Sequence, residues 1–190
     1  KLVILKEAYR IKSKADVGIT GWEISEELNR LFTAEEGFAF YRSNGNKYGA
    51  IDIVIEKATP EDTQLIGRAV RYARSQRWYD GELILKRRIA YLEALRGNYG
   101  VAIDLLVKEG EKGVEHDNYN NDFHRHDFLV AAEYAGRAGN PDEQAALVER
   151  HFDIIIATKQ YGGSNDHGEF RIVETARKLG GNELATRVAD

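Results

Sequence analysis

Ala90-Tyr91-Leu92-Glu93-Ala94-Leu95-Arg96-Gly97-Asn98-Tyr99-Gly100-Val101-Ala102-Ile103 is the stretch that decides how this chain is built. Apolar and small residues recur at helical spacing up to Leu95, a Gly-Asn-Tyr turn follows, and Ala102 and Ile103 open a second apolar stripe. Glycine at such a stop takes the left-handed conformation that closes a helix, an aromatic fills the gap between two antiparallel helices, and alanine lets them approach closely. Two further turns, Gly139-Asn140-Pro141 and Gly180-Gly181-Asn182, sit between apolar-periodic segments in the same way, and the first glycines of the three turns are 42 and 41 residues apart. A fixed spacing of this size predicts stacked helix–turn–helix units, none of which buries its apolar face alone. Helices are expected near 82–96, 99–113, 123–138, 142–160, 167–179 and 182–190.

Toward the N-terminus, Thr59-Pro60-Glu61-Asp62 reads as a helix start, with Thr59 as cap and Pro60 in the first helical position, leading a helix to about Gln76. Residues 61–190 are therefore expected to form one helical-repeat domain. Residues 1–60 read as a small α+β region: amphipathic helices over 2–14 and 22–32, then a β-hairpin over 38–56. The hairpin rests on Asn44-Gly45, which supplies the positive φ angles of a tight turn, and on the alternation of Ile51, Ile53 and Ile55 with Asp52 and Glu56. The fold class is thus mostly α, with antiparallel helix pairs preceded by this hairpin-bearing region.

The 190 residues, 43% of them hydrophobic, suffice for a sizeable core. The formal net charge of −4 exerts no general pull on polyanions, but it is unevenly spread: residues 1–100 carry 17 Lys and Arg against 14 Asp and Glu, and residues 101–190 carry 10 against 17. A nucleic-acid contact would therefore belong to the first half. Cysteine is absent, which excludes disulfides, thiolate metal sites and cysteine nucleophiles. No apolar run approaches the length of a membrane span, so a soluble, cytoplasmic protein without cofactor is expected.

The three turns and their flanks resemble the tetratricopeptide repeat family over residues 82–190, in the longer variety seen in kinesin light chains, whose repeat of roughly 42 residues matches the spacing here. The second copy departs from the family pattern with Pro141 in place of the aromatic and Gln144 in place of an alanine, and the third lacks the aromatic. The resemblance implies a protein or peptide segment bound on the face lined by the first helix of each pair, at Arg87, Tyr91, His126, Glu133, Arg137 and Glu174. The family's clamp for a terminal carboxylate needs Lys and Asn where this chain has Arg87, Tyr91 and Glu133, so that specificity is not implied.

Two other constellations offer different chemistry. Arg68, Arg71, Arg74 and Arg77, followed by Trp78 and running on to Arg88, form a basic stretch with aromatics that could stack on bases. His116, His124, His126 and Asp127 are metal-ligand types close together and would support a metal-dependent hydrolase, although a separate upstream histidine and a distant aspartate are not offered. No nucleophile motif or phosphate-cradling loop is present. The leading expectation is a non-enzymatic interaction scaffold, with the nucleic-acid and metal readings as alternatives.

Overall fold

The computed structural model describes residues 1–12, 21–76, 82–116, 122–159 and 168–188. Among them are ten helices and no strand: α1 (Leu2–Lys12), α2 (Gly21–Leu31), α3 (Ala34–Ser43), α4 (Lys47–Lys57), α5 (Thr63–Ser75), α6 (Glu82–Leu95), α7 (Tyr99–His116), α8 (Asp122–Arg137), α9 (Pro141–Lys159) and α10 (Gly168–Arg187). The chain divides into two compact units, Lys1–Tyr79 and Asp80–Asp190. Helix α5, which the sequence assigns to the repeat domain, belongs to the first unit. It starts at Thr63 rather than Pro60, because the Asp62 carboxylate accepts from Thr59 N at 2.8 Å and closes a turn ahead of it.

The β-hairpin over 38–56 is not found; α3 and α4 form a helical hairpin there. The buried residues of α4 are Ala50, Ile51, Ile53 and Val54, one face of a helix, and those of α3 include Ala34, Gly37, Phe38 and Tyr41 at helical spacing. The isoleucine alternation sits inside a short apolar run that satisfies both periods. Two local signals favour the helix. Thr33 and Glu36 make a reciprocal capping box at the start of α3, with Glu36 N donating to Thr33 Oγ1 at 3.2 Å and Thr33 N to Glu36 Oε2 at 3.0 Å. Gly45, at φ 74°, closes α3 instead of turning two strands, and Asn46 caps α4 by accepting from Gly49 N at 2.8 Å.

That turn recurs. Among the described residues the positive-φ glycines are Gly45, Gly97, Gly139 and Gly181, and asparagine follows each. At the first three the glycine N–H donates three residues back (to Arg42, Ala94 and Gly136) and the asparagine N–H five residues back (to Tyr41, Glu93 and Ala135), at 2.9–3.3 Å. This paired pattern satisfies the carbonyls left open at a helix end. The third expected turn therefore centres on Gly181, where α10 is broken, rather than on Gly180, and the spacing becomes 42 residues in both intervals.

In the first unit α1 packs on α2, α3 on α4 and α4 on α5. Phe38, Tyr41, Ile51, Ile53 and Ile66 fill the core, and the buried Tyr41 hydroxyl donates to Asn29 Oδ1 at 2.6 Å. In the second unit each helix packs on the next along the chain, and α8 also meets α10. Its core is rich in small residues (Ala90, Ala102, Ala131, Ala132, Ala135) around Leu106, Phe128, Val148 and Phe152. Gly110 admits the Phe128 ring, since a Cβ there would lie 2.7 Å from it. Charged pairs tie helices together: Lys86 Nζ to Glu109 Oε1 at 2.6 Å between α6 and α7, and Arg150 to both oxygens of Glu111 at 2.8 and 2.7 Å between α9 and α7.

Candidate functional site

The residues expected to line the first helices lie on α6, α8 and α10, and the structure gives them unequal roles. Arg87 on α6 is spent on Asp127 of α8: Nε donates to Oδ1 at 2.6 Å and Oδ2 at 2.9 Å, and Nη2 to Oδ2 at 2.7 Å. Their side chains are 15% and 3% exposed, so this two-point pair is buried and holds α6 to α8. It joins a residue expected to meet a partner with one expected to ligate a metal. Tyr91, one turn further along α6, is half-buried; burial pushes its phenol up and the Asp127 charge adds to this, while Arg87 and Arg88 act against it. His126 is exposed at the start of the described part of this face.

Further along α8, Glu133 and Arg137 pair at the surface, with the Arg137 guanidinium 5.8 Å from the centre of the Tyr134 ring. Burial pushes the Tyr134 phenol up to about 12, helped by Tyr91 and Glu133. On α10, Glu174 and Lys178 form a second exposed pair at 2.8 Å. Between these helices and the start of α9 opens a groove of about 570 Å³, lined by Glu133, Gly136, Arg137, Gln144, Lys178, Leu179 and Gly180. Its volume falls within the roughly 300–1,000 Å³ of small-ligand sites. Glu133 and Arg137 were legible as lining residues from the repeat spacing. Gln144, Gly136 and Leu179 were not, because they flank that row or come from the second helix of a pair; the break in repeat pattern at Gln144 was the available signal.

Among the described residues no group of three or more His, Asp or Glu could hold an ion. Asp127 is held by Arg87, His126 is exposed, and the side chains of His116 and His124 lie outside the described residues. In the basic stretch, Arg68, Arg71 and Arg74 are exposed on α5. Arg68 pairs with Glu35 and lies 5.9 Å from the Phe38 ring, and Arg42 lies 5.4 Å from that of Tyr72. Arg77 and Trp78 lie outside the described residues, and Lys86 is directed to Glu109. No described helix is long and apolar enough to cross a membrane. Comparison of the chain with protein-family models, with curated proteins and with solved structures finds no match.

Proposed function

We propose that residues 80–190 are a stack of helix pairs of tetratricopeptide-like kind, an α-solenoid-like scaffold that binds a protein or peptide segment along the row formed by α6, α8 and α10. The observation that carries this is the groove itself: it opens where the repeat spacing sets Glu133 and Arg137, and α10 contributes Lys178 to its far wall. The Glu133–Arg137 and Glu174–Lys178 pairs are exposed, and such pairs contribute little, so a ligand's charges exchange with them at small cost. Tyr91 and His126 extend the surface toward α6, and Arg87 supports it by fixing Asp127. Arg137→Ala and Lys178→Ala should each weaken a bound peptide by more than about 1 kcal/mol while the melting temperature stays nearly constant. Peptides that bind both variants as tightly as the parent protein would show that the segment docks elsewhere.

A second reading is supported by the first unit. The Phe38 and Tyr72 rings meet edge to face at 5.8 Å, with Arg68 on one and Arg42 on the other, and Arg71 and Arg74 are exposed beside them. Exposed arginines ordered on aromatic rings suit the phosphates of a single strand. Retention on heparin that collapses with salt, and is reduced by Arg71→Glu, would favour this surface; elution at the salt expected of a nearly neutral protein would rule it out.

A further inference from the structure

Gln144 stands five residues after a turn glycine, and the equivalent positions after Gly45 and Gly97 hold Ala50 and Ala102, both fully buried. A carboxamide therefore occupies a place where these two copies have a methyl group, while the corresponding place after Gly181 holds the exposed Thr186. It is 5% exposed and lines the groove. Two glycines make room for it: a Cβ on Gly136 would fall 2.6 Å from its Nε2, and one on Gly180 would fall 3.0 Å from its Oε1. A carboxamide carries two N–H donors and an oxygen that accepts twice. The one side-chain bond Gln144 makes among the described residues is from Nε2 to the Leu179 carbonyl at 3.4 Å. Among the described residues Oε1 and the second N–H meet no partner at the groove floor, and buried polar groups left in that state are uncommon enough to require an explanation.

We propose that Gln144 anchors the main chain of an extended polypeptide: one residue of the bound segment donates its N–H to Oε1 and accepts the free Nε2–H on its carbonyl. This rests on the groove being the segment-binding site, and it adds the conformation of the segment. In an extended chain the N–H and C=O of one residue are unbonded and point to the same side, as when two antiparallel strands exchange a pair of hydrogen bonds. In a helix both groups are already used within the helix. The floor therefore selects an extended segment over a helical one. Side chains alternate along such a segment, so the residues flanking the anchored one face the walls, where Glu133, Arg137 and Lys178 stand.

Selection of short random peptides on the purified protein, followed by synthesis of the binders with single backbone N-methyl groups, tests this. Gln144→Leu, which keeps the volume and removes the amide, should weaken the selected peptides about tenfold or more. N-methylation at one peptide position should cost about the same on the parent protein and nothing further on the Leu variant, as expected of two groups in one interaction. Should the Leu variant fail to fold, the N-methyl series on the parent protein decides alone: one sensitive position supports the anchor, and uniform tolerance overturns it. Peptides that bind parent and variant equally, or that bind as helices, overturn the anchor while leaving the groove as a docking site. Failure to select any peptide competing at the groove overturns both.

Discussion

Removing the Arg87 guanidinium would leave the Asp127 carboxylate buried without its two-point partner. Breaking a buried pair from one side costs about 3–5 kcal/mol, whereas replacing both members with apolar groups of similar volume is often nearly neutral. Arg87→Ala should therefore lower the denaturation midpoint strongly, and Arg87→Met combined with Asp127→Leu should recover most of the loss; equal midpoints for parent and Arg87→Ala would mean the pair is not buried in solution. Arg87 thus links α6 to α8, which the sequence could not disclose, because its partner lies 40 positions away and nothing local links them. Gly97 and Gly139 were legible as helix stops, since their requirement is local, whereas Gly45 reads equally as a strand turn and Gly180-Gly181 offers two candidates for the third stop. Gly97→Val meets no atom within 4 Å of the new Cβ, so its cost is that of the left-handed backbone, about 1–2 kcal/mol, with the β-branch adding to it. A melting temperature unchanged by Gly97→Val would contradict the turn geometry.

At the level of single helices, charge placement makes the second unit sensitive to acid. Hydrogen bonds from Arg150 hold the Glu111 carboxyl below its ordinary 4.5 against the opposing effect of burial, and the Arg150 charge adds a smaller lowering. A depressed folded value means the α7–α9 link contributes fully above the unfolded pKa and is lost as pH falls through the lowered folded one. Glu111→Gln should flatten the fall of melting temperature below about pH 4.5 and change little at neutral pH beyond the about 0–1 kcal/mol of a half-exposed pair; an unaltered acid limb would remove Glu111 from that account. Helix boundaries in the second unit were readable because their apolar stripes are long and their stops are glycines. The α3–α4 pair was misread because Asn44-Gly45-Asn46 offers asparagine on both sides of the glycine: read as Asn-Gly it is a strand turn, read as Gly-Asn it closes one helix and opens another. Thr33-Ala34-Glu35-Glu36 carried the deciding signal, and Thr33→Ala should cost about 1 kcal/mol through loss of the cap.

Across the whole chain, two units with separate cores should respond separately to core damage. Phe128→Ala, at a fully buried position of the second unit, should cost about 3–5 kcal/mol and accelerate amide hydrogen exchange throughout residues 80–190 while leaving the slow amides of α3 and α4 protected. Uniform acceleration over the full chain would instead indicate one cooperative core. The order of the helices in the second unit was legible from periodicity, although the two expected over 167–190 are joined as α10 across the break at Gly180 and Gly181, and the groove was only half so: Glu133 and Arg137 fall at the expected spacing, while Gln144, Gly136 and Gly180 meet through packing that no single segment encodes. The succession of helices, each resting on its neighbour in the chain, carries a consequence for how fast the second unit forms. Contacts between partners a few tens of residues apart close short loops, and proteins built from such contacts reach the native state in microseconds to milliseconds, faster than sheets assembled from distant strands. With three glycine–asparagine hairpins able to form independently, this unit should refold after rapid dilution from denaturant without a lag.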